Sequence, residues 1–199
     1  MANKSKQKIE RLLNENSGVL IASEAIRSGI PRNAVYNFVG ERGLEKVAPG
    51  VFMDADTFPD ELYLLQARYP KVVFSYETAL YLHDMAEREP IPIALTVESG
   101  YHSGSLKDQG VKVFYVKSEW YALGLSEVES TGGHIVRAYD RERTVCDIVR
   151  RRAATDPAVY GYALRRYAAT REKDLAKLGR YAREMGVERQ VQQAMEVLL

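Results

Sequence analysis

The sequence predicts an α+β protein, with an N-terminal winged helix-turn-helix over residues 1–55 and, over 56–199, an α/β domain with a small sheet and a helical tail. Three observations predict it. The first 53 residues read as helix, short strand, helix, Gly turn, helix and hairpin. Short β-rich runs alternate with helical ones through the middle of the chain, and everything from Asp156 onward has helical spacing.

Each element has a local reason. Helix one is expected from about Lys4 to Asn16, because Ile9, Leu12 and Leu13 share a face while lysines and Arg11 take the others. Asn16-Ser17-Gly18 stops it, Val19–Ile21 is a short apolar strand, and Ser23 is expected to cap a helix that turns Ile26 inward. Gly29 makes the sharp turn, and Pro31 suits the first position of the next helix, where a missing amide hydrogen costs nothing. At about 100° per residue, Arg32, Asn33, Tyr36, Asn37 and Gly40 fall on one arc. Ala34, Val35, Phe38 and Val39 fall on the other. Leu44–Val47 and Val51–Met53 then flank a turn at Ala48-Pro49-Gly50, in which Pro presets φ and Gly supplies a positive one. The polar stretch 54–59, DADTFP, is the expected domain junction.

Beyond it, Asp60 is placed to cap a helix over 61–69, Val72–Phe74 is a short strand, and Ser75 is placed to cap a helix over 76–84. Strands are expected over 91–98, 111–117 and 135–138, with a polar loop over 99–110. Asp140 caps a helix to about Arg152, Asp156-Pro157 starts another, which Gly161 weakens, and Gly186 separates the last two.

Composition narrows the chemistry. Hydrophobic residues make up 46% of the 199, enough to fill the cores of a small and a larger domain. The formal net charge of +1 carries no global basic signature, so a nucleic-acid footprint has to be local. Residues 1–53 supply one: eight lysines and arginines against five glutamates, a local +3 against −2 for the remainder. The lone Cys146 excludes an internal disulfide and a cysteine-cluster zinc site. With no long apolar run and a charged start, MANKSKQKIERLL, the chain is expected to be cytoplasmic and away from membranes.

The candidate site follows from the polar arc. Arg32, Asn33, Tyr36 and Asn37 project from the first turns of the second helix of the pair toward base edges, where Arg can pair bidentately with guanine and Asn with adenine. Lys4, Lys6, Arg42 and Lys46 are placed to meet phosphate oxygens. Arg150, Arg151 and Arg152, with Arg165, Arg166 and Arg171, are the basic concentration of the C-terminal part. They suit either a solvated helix face or a second backbone-contacting surface that neutralises more phosphates.

Other chemistries find little support. A restriction-type nuclease needs paired carboxylates and a lysine at adjacent strand ends, whereas Glu98 is followed by Ser99-Gly100. His83, His102 and His134 are dispersed, without metal-ligand spacing. Cys146 lies on the apolar side of its helix, where it packs as a small hydrophobe. Gly100, Gly104 and Gly110 lack the strand-to-helix setting of a phosphate cradle. Capping and an Arg143–Asp147 pair account for most of the charge in the run from Asp140 to Asp147. No catalytic residue, metal ligand or cofactor is therefore assigned. The rival from another class is a protein-interaction module in which the helical hairpin and its wing dock a partner.

The succession LEKVAPGVFM, FSYETALYLHDM, IPIALTV and VRAYDRERTVCDIVRRR covers essentially the whole chain and resembles the AbiEi family of abortive-infection antitoxins. These are transcriptional regulators of bacterial type IV toxin-antitoxin pairs. The resemblance implies a non-enzymatic autorepressor that binds inverted repeats of double-stranded DNA in its own promoter. It also implies a C-terminal domain that counters a nucleotidyltransferase-like toxin without a stable complex. The recognition-helix role falls on Arg32, Asn33, Tyr36 and Asn37, and the wing role on Lys46 and Gly50.

Overall fold

The computed structural model describes residues 2–102, 104–196 and 198, and it is a mixed α/β structure with two small sheets. The chain divides into two compact units, residues 1–70 with 129–136, and residues 71–128 with 137–199. The junction expected at 54–59 falls inside the first of these. No described helix is long and apolar enough to cross a membrane.

In the first unit, helix α1 (Ala2–Glu15) leads through strand β1 (Val19–Ile21) into α2 (Ala22–Arg27). Helix α3 (Arg32–Arg42) then precedes the hairpin β2 (Glu45–Ala48) and β3 (Val51–Met53), and α4 (Glu61–Arg68) follows. The sheet runs β1-β3-β2, all antiparallel, with Val19 opposite Met53, Lys46 opposite Phe52 and a bulge between Lys46 and Ala48. Ile9 and Leu13 of α1, Ala25 of α2, and Val35 and Phe38 of α3 close one core over Leu20 and Phe52 of this sheet. Gly50 takes φ 75° at the hairpin turn, the left-handed value expected of it.

Three local expectations are corrected. Ser23 is exposed and caps nothing; α2 begins directly after β1, and the Ala22 amide donates to the Gly50 carbonyl at 2.8 Å. A tertiary acceptor thus satisfies that helix-start donor. Ala25 is the fully buried residue of α2 and Ile26 only half-buried. Pro31 stands just outside α3, at φ −58°, and Arg32 is the first helical residue.

The second unit is built on a five-stranded sheet in the order β6-β5-β4-β8-β7. Its elements begin with β4 (Val73–Phe74), α5 (Tyr76–Leu82), β5 (Ala94–Glu98), α6 (Gly104–Lys107), β6 (Lys112–Val116) and α7 (Ser118–Ala122). The hairpin β7 (Leu125–Glu129) and β8 (Ile135–Tyr139) follows. The helical tail is α8 (Arg141–Arg150), a 3₁₀ turn at Arg152–Ala154, α9 (Pro157–Ala169), α10 (Leu175–Glu184) and α11 (Glu188–Met195). Strand β5 is parallel to β6 and antiparallel to β4. Val145, Ile148 and Val149 of α8 pack with Leu80, Leu164, Tyr167, Leu178 and Val191, so α8 is the hub of the tail. Cys146 lies in the same core, where burial pushes its thiol up to about 12.

The sheet is longer than expected, because β7 escapes sequence reading: its residues alternate between exposed and half-buried and carry little apolar signal. The strand expected from Ile91 starts at Ala94; prolines at 90 and 92 remove two donors, and Ile91 is 96% exposed. Ser75 sits at the start of α5 without capping it, its Oγ accepting instead from Thr96 Oγ1 at 2.8 Å. The helix expected to reach Arg152 ends at Arg150.

Candidate functional site

Helix α3 and the β2–β3 hairpin carry the sequence-predicted reading residues. Arg32, Asn33, Tyr36 and Asn37 are all exposed, while Val35 and Phe38 on the opposite side are buried in the core. The helical period thus separates a holding face from a presented face. The first turn of α3 contains no acidic residue, and no side chain caps its N-terminus. Free amides and the positive end of the helix dipole therefore accompany Arg32 and Asn33. Asn33 Oδ1 accepts from the Ala34 amide at 3.0 Å, which leaves its amide NH₂ as the group presented outward.

Arg32 and the hairpin belong to one continuous surface. The Arg32 guanidinium lies 5.4 Å from the centre of the Tyr36 ring, and that ring meets Phe52 of β3 edge-on at 5.8 Å. Lys46 stands opposite Phe52 in the sheet register, and cross-strand partners share a face. Lys46 is exposed, as are Glu45 and Val47 beside it. Gly50 holds the hairpin tip and accepts the α2 amide already described.

The predicted phosphate anchors differ from one another. Lys4 and Lys46 are exposed and make no ion pair among the described residues; Lys8, weighed only in the charge balance, is in the same position. Lys6 pairs with Glu41 of α3 at 3.0 Å. Arg42 pairs with Asp54 at 3.2 Å and lies 3.8 Å from Glu10 of α1. These acids were invisible as partners in the sequence, since 35 residues separate Lys6 from Glu41. All these pairs are largely solvated, so they bind weakly, but each carboxylate offsets the field of its cation.

A second polar group lies within the same unit. Asp60 caps α4 through the Tyr63 amide at 3.1 Å and receives the Ser130 hydroxyl and His134 Nδ1, the latter at 2.8 Å. His134 stacks on Tyr63 with ring centres 4.2 Å apart, and its Nε2 reaches the Asn16 carbonyl at 3.2 Å. Asp60 and His134 are almost wholly buried, so this group ties residues 129–136 into the unit.

In the second unit, Arg150, Arg151 and Arg152 do not form one helix face. Arg150 ends α8 with its guanidinium 4.0 Å from the Trp120 ring; Arg151 lies 4.9 Å from Phe114, and Arg152 5.5 Å from Tyr160. The charge run from Asp140 to Asp147 is structural. Arg143, 1% exposed, donates Nε to Asp147 at 3.2 Å and Nη1 to the carbonyls of Trp120 and Leu123, and it stacks 4.1 Å over Tyr139. Glu142 accepts from the Tyr167 hydroxyl, the Asp174 amide and Lys177. Although its burial acts in the opposite sense, Lys177 and the Asp174 amide hold its carboxyl below the usual range.

No protein-family model and no curated protein sequence matches the chain. The crystal structure of RV2827C protein from Mycobacterium tuberculosis is similar, with a TM-score of 0.55 and 13% identity over 94% of this chain and 79% of that one. At that identity the likeness extends to the mixed α/β fold alone.

Proposed function

We propose that residues 1–55 form a winged helix-turn-helix that reads duplex DNA with the exposed face of α3, the β2–β3 hairpin acting as the wing. The observation that carries this reading is the partition of α3. Arg32, Asn33, Tyr36 and Asn37 all face solvent beside an uncapped, acid-free helix start, while Val35 and Phe38 anchor the opposite side. Those residue types match the hydrogen-bonding edges of guanine and adenine in a major groove. Lys4, Lys8 and Lys46 are the cations available for phosphate oxygens, with Lys6 and Arg42 partly offset by their acids.

With the resemblance to AbiEi proteins, the full proposal is a bacterial antitoxin that acts without catalysis. It represses its own promoter through inverted repeats, and residues 56–199 counter a nucleotidyltransferase-like toxin without a stable complex, in the cytoplasm. A promoter reporter in cells producing the protein tests repression, and co-expression with the neighbouring reading frame tests neutralisation. The proposal expects lower reporter output and rescue of growth; an unaffected reporter overturns it.

Docking of a partner protein on the same face is the second reading. Tyr36 and Val47 are exposed at 42% and 38%, and the Lys6 and Arg42 pairs weaken the basic field, all of which suits a protein partner. Binding to upstream DNA that falls steeply with salt separates the two, because counterion release has no equivalent in such docking.

A further inference from the structure

A cavity of about 310 Å³ in the second unit opens between the end of α5, the start of α8 and the end of α9. Its lining includes His83, Asp84, Arg141, Arg166, Arg171 and Glu172. Three arginines, one from the start of α8 and two from the end of α9 and the turn after it, thus line one small space. Two of them are held by other residues of the lining. Arg166 donates Nε to the Asp84 carbonyl at 3.1 Å, which leaves its terminal nitrogens for another acceptor, and Arg141 meets Glu172 at 2.8 Å. Arg171 is exposed and makes no ion pair among the described residues.

Acceptors complete the pattern. His83 is 8% exposed, and its Nε2 faces the Tyr139 carbonyl at 2.8 Å. A carbonyl only accepts, so Nε2 carries the proton, and in the neutral ring Nδ1 is an acceptor. Asp84 adds a carboxylate to the lining. It occupies a left-handed conformation, φ 58°, two residues beyond the end of α5, a conformation that Asp and Asn tolerate.

We propose that this cavity binds the phosphate group of a small phosphomonoester or of free phosphate. Arginine donors meet the charged oxygens of such a group. The acceptors His83 Nδ1 and Asp84 meet an O–H, which free phosphate retains on the anion near neutral pH, which a monoester such as glycerol 3-phosphate carries on its alcohol part, and which a sulfate lacks. Donors together with acceptors therefore favour phosphate over sulfate, whereas arginines alone would take either. The cavity lies at the small end of ligand-site volumes, which suits a ligand of few atoms. This inference stands apart from the DNA-binding proposal.

Isothermal titration of the full chain at constant ionic strength tests it, with inorganic phosphate, glycerol 3-phosphate and sulfate as probes. Saturable phosphate binding at least about fivefold tighter than sulfate is expected. Arg166→Gln and the exposed Arg171→Gln should each weaken it about tenfold, as expected for loss of a charge-assisted donor pair. Asp84→Asn, compatible with the same backbone conformation, should bring the two anions closer together in affinity. Tighter glycerol 3-phosphate identifies the monoester as the ligand, and equal affinity identifies the free anion. Equal binding of phosphate and sulfate, no saturable phosphate binding, or an unchanged affinity in both arginine variants that remain folded by circular dichroism overturns the proposal.

Discussion

Replacing Glu41 and Asp54 by their amides should tighten DNA binding, although neither residue would touch a base. Glu41 sits 3.0 Å from Lys6 and Asp54 3.2 Å from Arg42, so two predicted phosphate anchors each carry a counter-charge already. A carboxylate about 6 Å from a phosphate, in a water-like dielectric, repels it by about 0.7 kcal/mol, roughly a threefold loss of affinity. Removing both acids should then improve affinity about tenfold per bound copy at low salt. The pairs are exposed, so breaking them should cost no more than about 1 kcal/mol of stability. Fluorescence anisotropy of a labelled upstream duplex across about 50 to 200 mM salt reads the effect. Glu41→Gln/Asp54→Asn binding no better than the parent protein would refute the placement of Lys6 and Arg42 on the phosphate-facing side.

Three further outcomes follow from the geometry. Lys46→Ala should lower the slope of log affinity against log salt by about one, and by more than Lys6→Ala, whose charge is already offset; equal effects would contradict the ion pairing described. Arg143→Ala should lose about 3 to 5 kcal/mol in urea unfolding, because it strands buried Asp147 and two carbonyls; a loss below about 1 kcal/mol would show that this cluster is not structural. Burial, with Arg141 assisting, holds His83 below its ordinary 6.5, so the unfolded chain takes up this proton first on acidification. Stability from this group is complete above about pH 6.5 and declines as pH falls from there toward the folded value. An NMR titration midpoint for His83 at or above 6.5 would reverse that sign.

What could be read in the sequence was what depends on neighbours along the chain. The two faces of α3 follow from helical period alone, and Arg32, Asn33, Tyr36 and Asn37 lie on the side that period assigns them. Asp60, Asp140 and Asp156 cap the helices they precede, since capping needs only an amide two or three residues ahead. Where distant partners decide, the reading failed. Ser23 lost its capping role because Ala22 found the Gly50 carbonyl across the hairpin. Arg150, Arg151 and Arg152 looked like one basic stretch until α8 ended at Arg150 and turned each guanidinium toward a different ring. The run from Asp140 to Asp147 announced its cap and its Arg143–Asp147 pair, but not Lys177, Tyr167 and Asp174, which the helical tail brings to Glu142. The arginine cavity was equally hidden, its residues being spread from His83 to Glu172.

The central claim is that the exposed face of α3 reads DNA sequence. Anisotropy with the upstream intergenic duplex and a shuffled duplex of equal length, using the parent protein and Arg32→Ala/Asn33→Ala, tests it most directly. Loss of the two base-reading side chains should remove about 2 to 6 kcal/mol of preference for the upstream duplex, leaving weak, salt-sensitive binding to both. The same preference in both proteins, with the variant folded, would contradict the account.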